Sequence, residues 1–245
     1  MNFALILFAA LLPVVILLCI ILFLDRKRPE PAKKLFKAFF FGILSVFLSF
    51  CISIPLGELG VYSDEFTTLL GSFGKAFFGA AIPEEIAKFF MLWLLLRKNR
   101  YFDEMMDGIV YAACIGLGFE AIENIMYIIN AQDFISTAIM RAITPWHFCF
   151  GILMGYYYSL AKFVPSGKTK NYILMLAAPI LAHGIYDALL MSLEVLPVWM
   201  GIPSILFCFY FCYKMCKISV QKIKEHLEYD KNTIADNMAQ TDGNA

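Results

Sequence analysis

Charge and histidine are what this chain has least of. Only 16% of its 245 residues are Asp, Glu, Lys or Arg, twenty basic against twenty acidic, and there are three histidines. Soluble domains carry about a quarter of their residues charged, so a water-soluble globular protein is excluded and no nucleic-acid partner is expected. Several catalytic signatures are missing as well. There is no Gly-x-Ser-x-Gly, no His-Glu-x-x-His and no helical Tyr-Asp or Gly-x-Gly-Asp pair, so serine, zincin and aspartyl protease readings lack their motifs. The seven cysteines lie within or at the edges of apolar stretches. Cys208, Cys212 and Cys216 share a helical stripe without zinc-ribbon spacing, which reads as packing by small apolar groups rather than as disulfides or structural zinc. No internal repeat and no second domain are visible.

What fills the chain is hydrocarbon: 60% hydrophobic residues, 24 Phe and a mean hydropathy of +0.71. This predicts an all-α polytopic membrane protein in a lipid bilayer. A hydrocarbon core of about 30 Å needs ~20 apolar residues per helix, and seven stretches qualify: 2–24, 35–56, 75–96, 107–129, 135–160, 171–192 and 197–216. Basic clusters follow the first, third, fifth and seventh of these, at Arg26–Arg28, Arg97–Arg100, Lys162–Lys170 and Lys214–Lys224. The opposite loops carry Glu58, Asp64, Glu65, Asp133 and Glu194. By the positive-inside rule the N-terminus is outside and the C-terminus inside. The first stretch has its cations after the apolar run, which reads as a reverse anchor and not a removable signal. Residues 1–228 form the membrane domain, and the polar segment 229–245 is expected to be a disordered cytoplasmic tail.

Against this background, ionisable groups inside apolar stretches stand out, because each costs roughly 2.5–3.5 kcal/mol or more at mid-bilayer and those that persist usually line a polar cavity. They are Glu84, Glu85 and Lys88 on the third span, Glu120, Glu123 and Asn124 on the fourth, Arg141 and His147 on the fifth, and His183 and Asp187 on the sixth. Counting about 1.5 Å per residue, they fall in one layer between the midplane and the outer leaflet. At about 100° per residue Glu84 and Glu85 diverge and Lys88 projects between them, within reach of both. His183 and Asp187 share a face, so the carboxylate can hold one imidazole nitrogen and turn the other to a cavity. Pro83, Pro145 and Pro179 each precede a motif and can kink its helix. Gly151-x-x-x-Gly155 and the Ser45, Ser49, Ser53 stripe read as close helix packing. Acids, imidazoles and an amide without a serine or cysteine nucleophile suit a hydrolase whose carboxylate activates water. Two alternatives remain: a proton-coupled transporter, which predicts inverted repeats, and a metal-dependent hydrolase with Glu123, His147 and His183 as ligands.

Glu84-Glu85-x-x-Lys88, Phe119-x-x-x-Glu123-Asn124, His147-x-x-x-Gly151 and His183-x-x-x-Asp187, in this order on successive spans, resemble the PrsW family of glutamic-type intramembrane proteases. The segment from Phe102 to Tyr111 is similar to that family too, and the likeness covers roughly residues 25–215. A more distant similarity leads to the CAAX-prenyl proteases, from which this chain departs at Lys88, Glu123 and Asp187. The resemblance implies a bacterial cytoplasmic-membrane endopeptidase making the site-1 cut in a single-pass anti-sigma factor near the outer face during stress signalling; no cofactor is expected. The expected roles are Glu84 as general base, Glu85 and Glu123 assisting, His183 as oxyanion donor or orienter and Asp187 behind it, with His147 a further catalytic candidate. Lys88, Asn124 and Arg141 support them.

Overall fold

A computed structural model describes residues 3–143 and 146–242, and among these every regular element is helical. Helices α1 (Phe3–Leu24) and α2 (Ala32–Glu58) come first. Helix α3 (Leu69–Gly74) passes through a π-helical segment (Lys75–Ala81) into α4 (Ile82–Leu96) without a break. Then follow α5 (Met105–Asn130), α6 (Phe134–Ile143), α7 (Trp146–Phe163), α8 (Lys168–Ser192) and α9 (Val198–Asp242). Four helices, α2, α5, α8 and α9, are each long and apolar enough to cross a membrane, and α1 is apolar throughout its 22 residues. Of the other expected stretches, 75–96 runs through the π-helical segment into α4, and 135–160 is divided between α6 and α7. Pro145, expected to kink the fifth span, lies outside the described residues.

Helix α5 is the axis of the bundle, buried along almost its whole length between α1, α2 and α7. Close approach to α7 depends on small residues. A Cβ on Gly155 would lie 2.2 Å from the carbonyl oxygen of Gly108, and one on Gly116 would lie 2.2 Å from that of His147. The Gly151-x-x-x-Gly155 stripe is therefore a packing surface, as its spacing predicts. On α2 the serine stripe is buried too, with Ser45 and Ser49 returning their hydroxyls to their own helix at Gly42 and Val46. Large apolar side chains such as Phe36, Phe47, Leu206 and Tyr213 point outward, the pattern of a bundle whose surroundings are lipid.

The basic loops meet at one end. Arg28 pairs with Asp103 and Glu104, and Lys162 donates to the carbonyl of Phe102. Helix α5 starts there with a capping box in which Asp107 accepts from the amides of Asp103 (2.9 Å) and Glu104 (2.7 Å). Over residues 229–242, where the sequence suggests a disordered tail, α9 continues as helix to Asp242. Its polar part has a docking partner. Both carboxylate oxygens of Asp230 accept from the free amides of Met105 and Met106 at 2.8 Å each, and His226 stacks on Tyr156 at 4.4 Å. First-turn amides have no partner within their own helix and favour a nearby anion. The partner lies 125 residues away, so the local pattern of the tail does not show it.

Candidate active site

The third span sets the site up by changing helix type. Pro83 has no N–H, so the carbonyl four residues earlier, on Gly79, cannot be bonded in α register. Over Lys75–Ala81 the chain widens into a π-helix, closed where the Ile82 amide donates to Phe77, a form that is short in most proteins and frequent at functional sites. The α4 turn that follows presents Glu84, Glu85 and Lys88 to the bundle interior.

These three residues separate into different environments. Glu85 is wholly buried, and its Oε1 accepts from Lys88 Nζ at 2.8 Å and faces His183 Nδ1 at 2.9 Å. Glu84 lines a cavity of about 610 Å³, and its Oε2 lies 3.4 Å from Lys88 Nζ. Lys88 therefore sits between the two carboxylates as the helical angles predict. It also reaches His147 Nδ1 at 2.8 Å and lies 3.9 Å over the Phe119 ring. An ammonium offers only protons, so His147 Nδ1 accepts and its Nε2–H points at Glu123 Oε2, 2.7 Å away.

From α5, Glu123 enters the cavity while Asn124 and Glu120 do not. Arg141, arriving from α6, donates to both Glu123 and Asn124, and Asn124 Nδ2 donates to the Ala10 carbonyl on α1 at 3.1 Å. Arg141 and Asn124 thus fix Glu123 and tie α1, α5 and α6 together. Glu120 is buried near the Phe148 backbone with Oε2 unpartnered.

On α8, His183 has carboxylate oxygens on both sides of its ring. Glu85 faces Nδ1, while Asp187 Oδ2 lies 3.2 Å and Glu84 Oε2 3.9 Å from Nε2. The sequence expectation that Asp187 holds His183 from behind is thereby altered: the buried anchor is Glu85, and Asp187 stands on the cavity side. Phe150 stacks on His183 with ring centroids 4.8 Å apart and planes 18° apart, a support that no local motif announces. Lys75 and Tyr127, also unannounced, complete the wall. Glu84, Glu123, His147, His183 and Asp187 all line this one cavity.

The trio of the metal-dependent alternative changes as well. Among the described residues the donor atoms that lie within 4.8 Å of one another belong to Glu84, His147 and His183, while Glu123 is paired with Arg141 and His147.

Comparison with known proteins points the same way. The chain's residues 30–214 match the family described as PrsW family intramembrane metalloprotease. Protease PrsW of Oceanobacillus iheyensis is 37% identical over 187 residues, 76% of this chain and 82% of the relative. Protease PrsW of Geobacillus kaustophilus is 34% identical over 198 residues, 79% and 83% respectively. That of Clostridioides difficile is 32% identical over 235 residues, 94% of each chain. No solved structure matches significantly. The four motifs that carry the resemblance meet around one polar cavity inside an apolar bundle, and the chain belongs to the PrsW family of multi-pass membrane proteases.

Proposed function

We propose that this protease hydrolyses a peptide bond of a single-pass membrane protein near the outer membrane face, with Glu84 activating the water. The observation that carries this is the position of Glu84 Oε2, on the cavity wall and 3.9 Å from Nε2 of both His147 and His183. A carboxylate between two imidazoles can take a proton from water while an N–H faces the oxyanion that develops on the carbonyl. Glu85, buried against Lys88 and His183, keeps both in place and meets no substrate. A second opening supports a substrate arriving from lipid: an apolar groove of about 280 Å³ between α2 and α5 shares Phe50, Glu84, Glu123 and Tyr127 with the cavity. An extended segment can lie there with its scissile bond over Glu84. The anti-sigma factor substrate and the stress-signalling role belong to this proposal and rest on the resemblance of the motifs.

A metal-assisted variant of the same hydrolysis is favoured by the convergence of Glu84, His147 and His183. Two histidines and a glutamate are a known zinc set, and a carboxylate behind one imidazole, as Glu85 stands behind His183, is the usual support for such a ligand. The donor set fits zinc by type, with Lys88 having to leave His147 Nδ1 before its Nε2 can ligate. Bound there, the ion would polarise the carbonyl and lower the pKa of water. Glu123 and Asp187 then remain to hold protons on the cavity side.

Purified protein reconstituted with candidate single-pass substrates, including anti-sigma factors, tests both. Cleavage by wild type and none by folded Glu84→Gln is expected. Cleavage surviving chelation with no zinc in the protein favours the carboxylate mechanism, and loss restored by zinc favours the metal. Unchanged cleavage by Glu84→Gln overturns the assignment.

A further inference from the structure

The basic end of the bundle holds another cavity, of about 520 Å³, between the end of α4 with its following loop, the end of α7 and the start of α8. It stands well apart from the protease site, since Arg97 follows Glu84 by thirteen residues, roughly 20 Å of helix. Arg97, Lys98, Arg100, Lys162 and Lys168 line it, all of them exposed, and among the described residues no carboxylate does. Among the described residues none of these five forms an ion pair, whereas Arg28, Lys75, Lys88, Arg141 and Lys222 do.

Four of the five rest on aromatic groups instead. Arg97 lies 4.8 Å from the Trp93 ring centre, Lys162 3.6 Å from that of Phe102 and Lys168 5.9 Å from that of Tyr172. Arg100 donates to the Tyr101 hydroxyl at 2.9 Å. Trp93 and Tyr172 are themselves half exposed, at the level where amphipathic rings meet the membrane–water boundary.

The positive-inside rule alone scatters cations over a cytoplasmic surface and requires no concavity. Lys214, Lys217 and Lys224 on α9 illustrate that case, being exposed and lining none of the cavities described here. The five around the cavity are different because they converge on a wall that includes Phe89, Leu96 and Met175. A ligand that satisfies the whole site must offer anionic oxygens to the rim and hydrocarbon to the wall. Inorganic phosphate meets only the first demand and a neutral lipid tail only the second. Basic pockets between transmembrane helices on the cytoplasmic side commonly take lipid phosphates.

We infer that this cavity binds the headgroup of an anionic phospholipid from the cytoplasmic leaflet, with an acyl chain lying along Trp93 and Tyr172. The bound lipid ties the end of α4, the helix that carries Glu84, to α7 and α8.

The test uses the full chain in phosphatidylcholine nanodiscs with increasing phosphatidylglycerol, reading retained lipid by native mass spectrometry after gentle detergent release. Wild type is expected to retain one phosphatidylglycerol in preference to phosphatidylcholine. The triple variant Arg97→Gln, Arg100→Gln, Lys168→Gln removes exposed charges only and is expected to lower that retention about tenfold. A control triple, Lys214→Gln, Lys217→Gln, Lys224→Gln, is expected to stay within about twofold of wild type. Arg97→Lys with Arg100→Lys keeps the charge and is expected to keep the lipid. Equal loss in both triples, or equal retention of the two lipids, reduces the effect to surface charge and overturns the site. Displacement of the lipid by millimolar inorganic phosphate at constant ionic strength overturns the phospholipid assignment in favour of free phosphate.

Discussion

Neighbouring glutamates on one turn of α4 do different work, and the difference can be measured. Glu84→Gln keeps shape and removes the water-activating carboxylate, so cleavage is expected to fall by orders of magnitude with thermal stability nearly unchanged, read as turnover beside the unfolding midpoint in detergent. Glu85→Gln leaves Lys88 and His183 without their buried carboxylate, an imbalance of the kind that costs about 3–5 kcal/mol. Its first effect is therefore expected on the midpoint, with yield falling alongside. His183 and Asp187 give a third comparison. If they act as a unit on the oxyanion side, each alanine variant loses about 10²–10³ in single-turnover rate and the double variant little more; additive losses would mean that they work separately. Helical angles suffice to place Lys88, which lies between Glu84 and Glu85. They do not suffice for His183, whose Nδ1 partner arrives from a helix 98 residues away. Spacing along a helix specifies a face, while the choice of ring nitrogen depends on what another helix brings to it.

Helices position these groups through two local irregularities. Pro83 and the π-helical segment before it set the rotation of Glu84, so Pro83→Ala, which restores an N–H and allows the α register, is expected to lower turnover about 10²-fold through misplacement. The unfolding midpoint should hold or rise, since a helix-breaking residue has gone; a fall in midpoint without a change in turnover per folded molecule would show that Pro83 serves stability instead. On α5, Gly116 lets the backbone of His147 approach. Gly116→Ala would place a methyl 2.2 Å from the His147 carbonyl oxygen, and overpacking of this kind costs about 1–3 kcal/mol. Turnover and midpoint are both expected to fall. Long apolar helices such as α2, α5, α8 and α9 were legible because the bilayer imposes a length on each. The π-helical segment was not, since Lys75–Ala81 has the composition of ordinary α-helix and only the proline after it hints at a change.

At the scale of the molecule, carboxyl groups collect at the basic end. Burial pushes Asp25, just beyond α1, up to about 7, aided by nearby Glu30 and Glu104, and burial raises Glu30 and Glu104 as well. A carboxyl raised above its unfolded value stabilises the fold when protonated and loses that contribution as pH rises through its folded value. The unfolding midpoint is therefore expected to drop between about pH 4 and pH 8, and Asp25→Asn to flatten the drop while raising the midpoint at pH 8. A wild-type midpoint that climbs over this range would contradict the burial of these groups. Charge alternation in the sequence announces where this end lies. It does not announce that α9 folds back on it, because Asp230 and Met105 are 125 residues apart. That distance is also an interval in time. At about 5–20 residues per second of synthesis, the first amides of α5 wait roughly 6–25 s for the carboxylate that caps them. The central helix reaches its final form only after nearly every other span has been made, so its companions are already at hand when it settles.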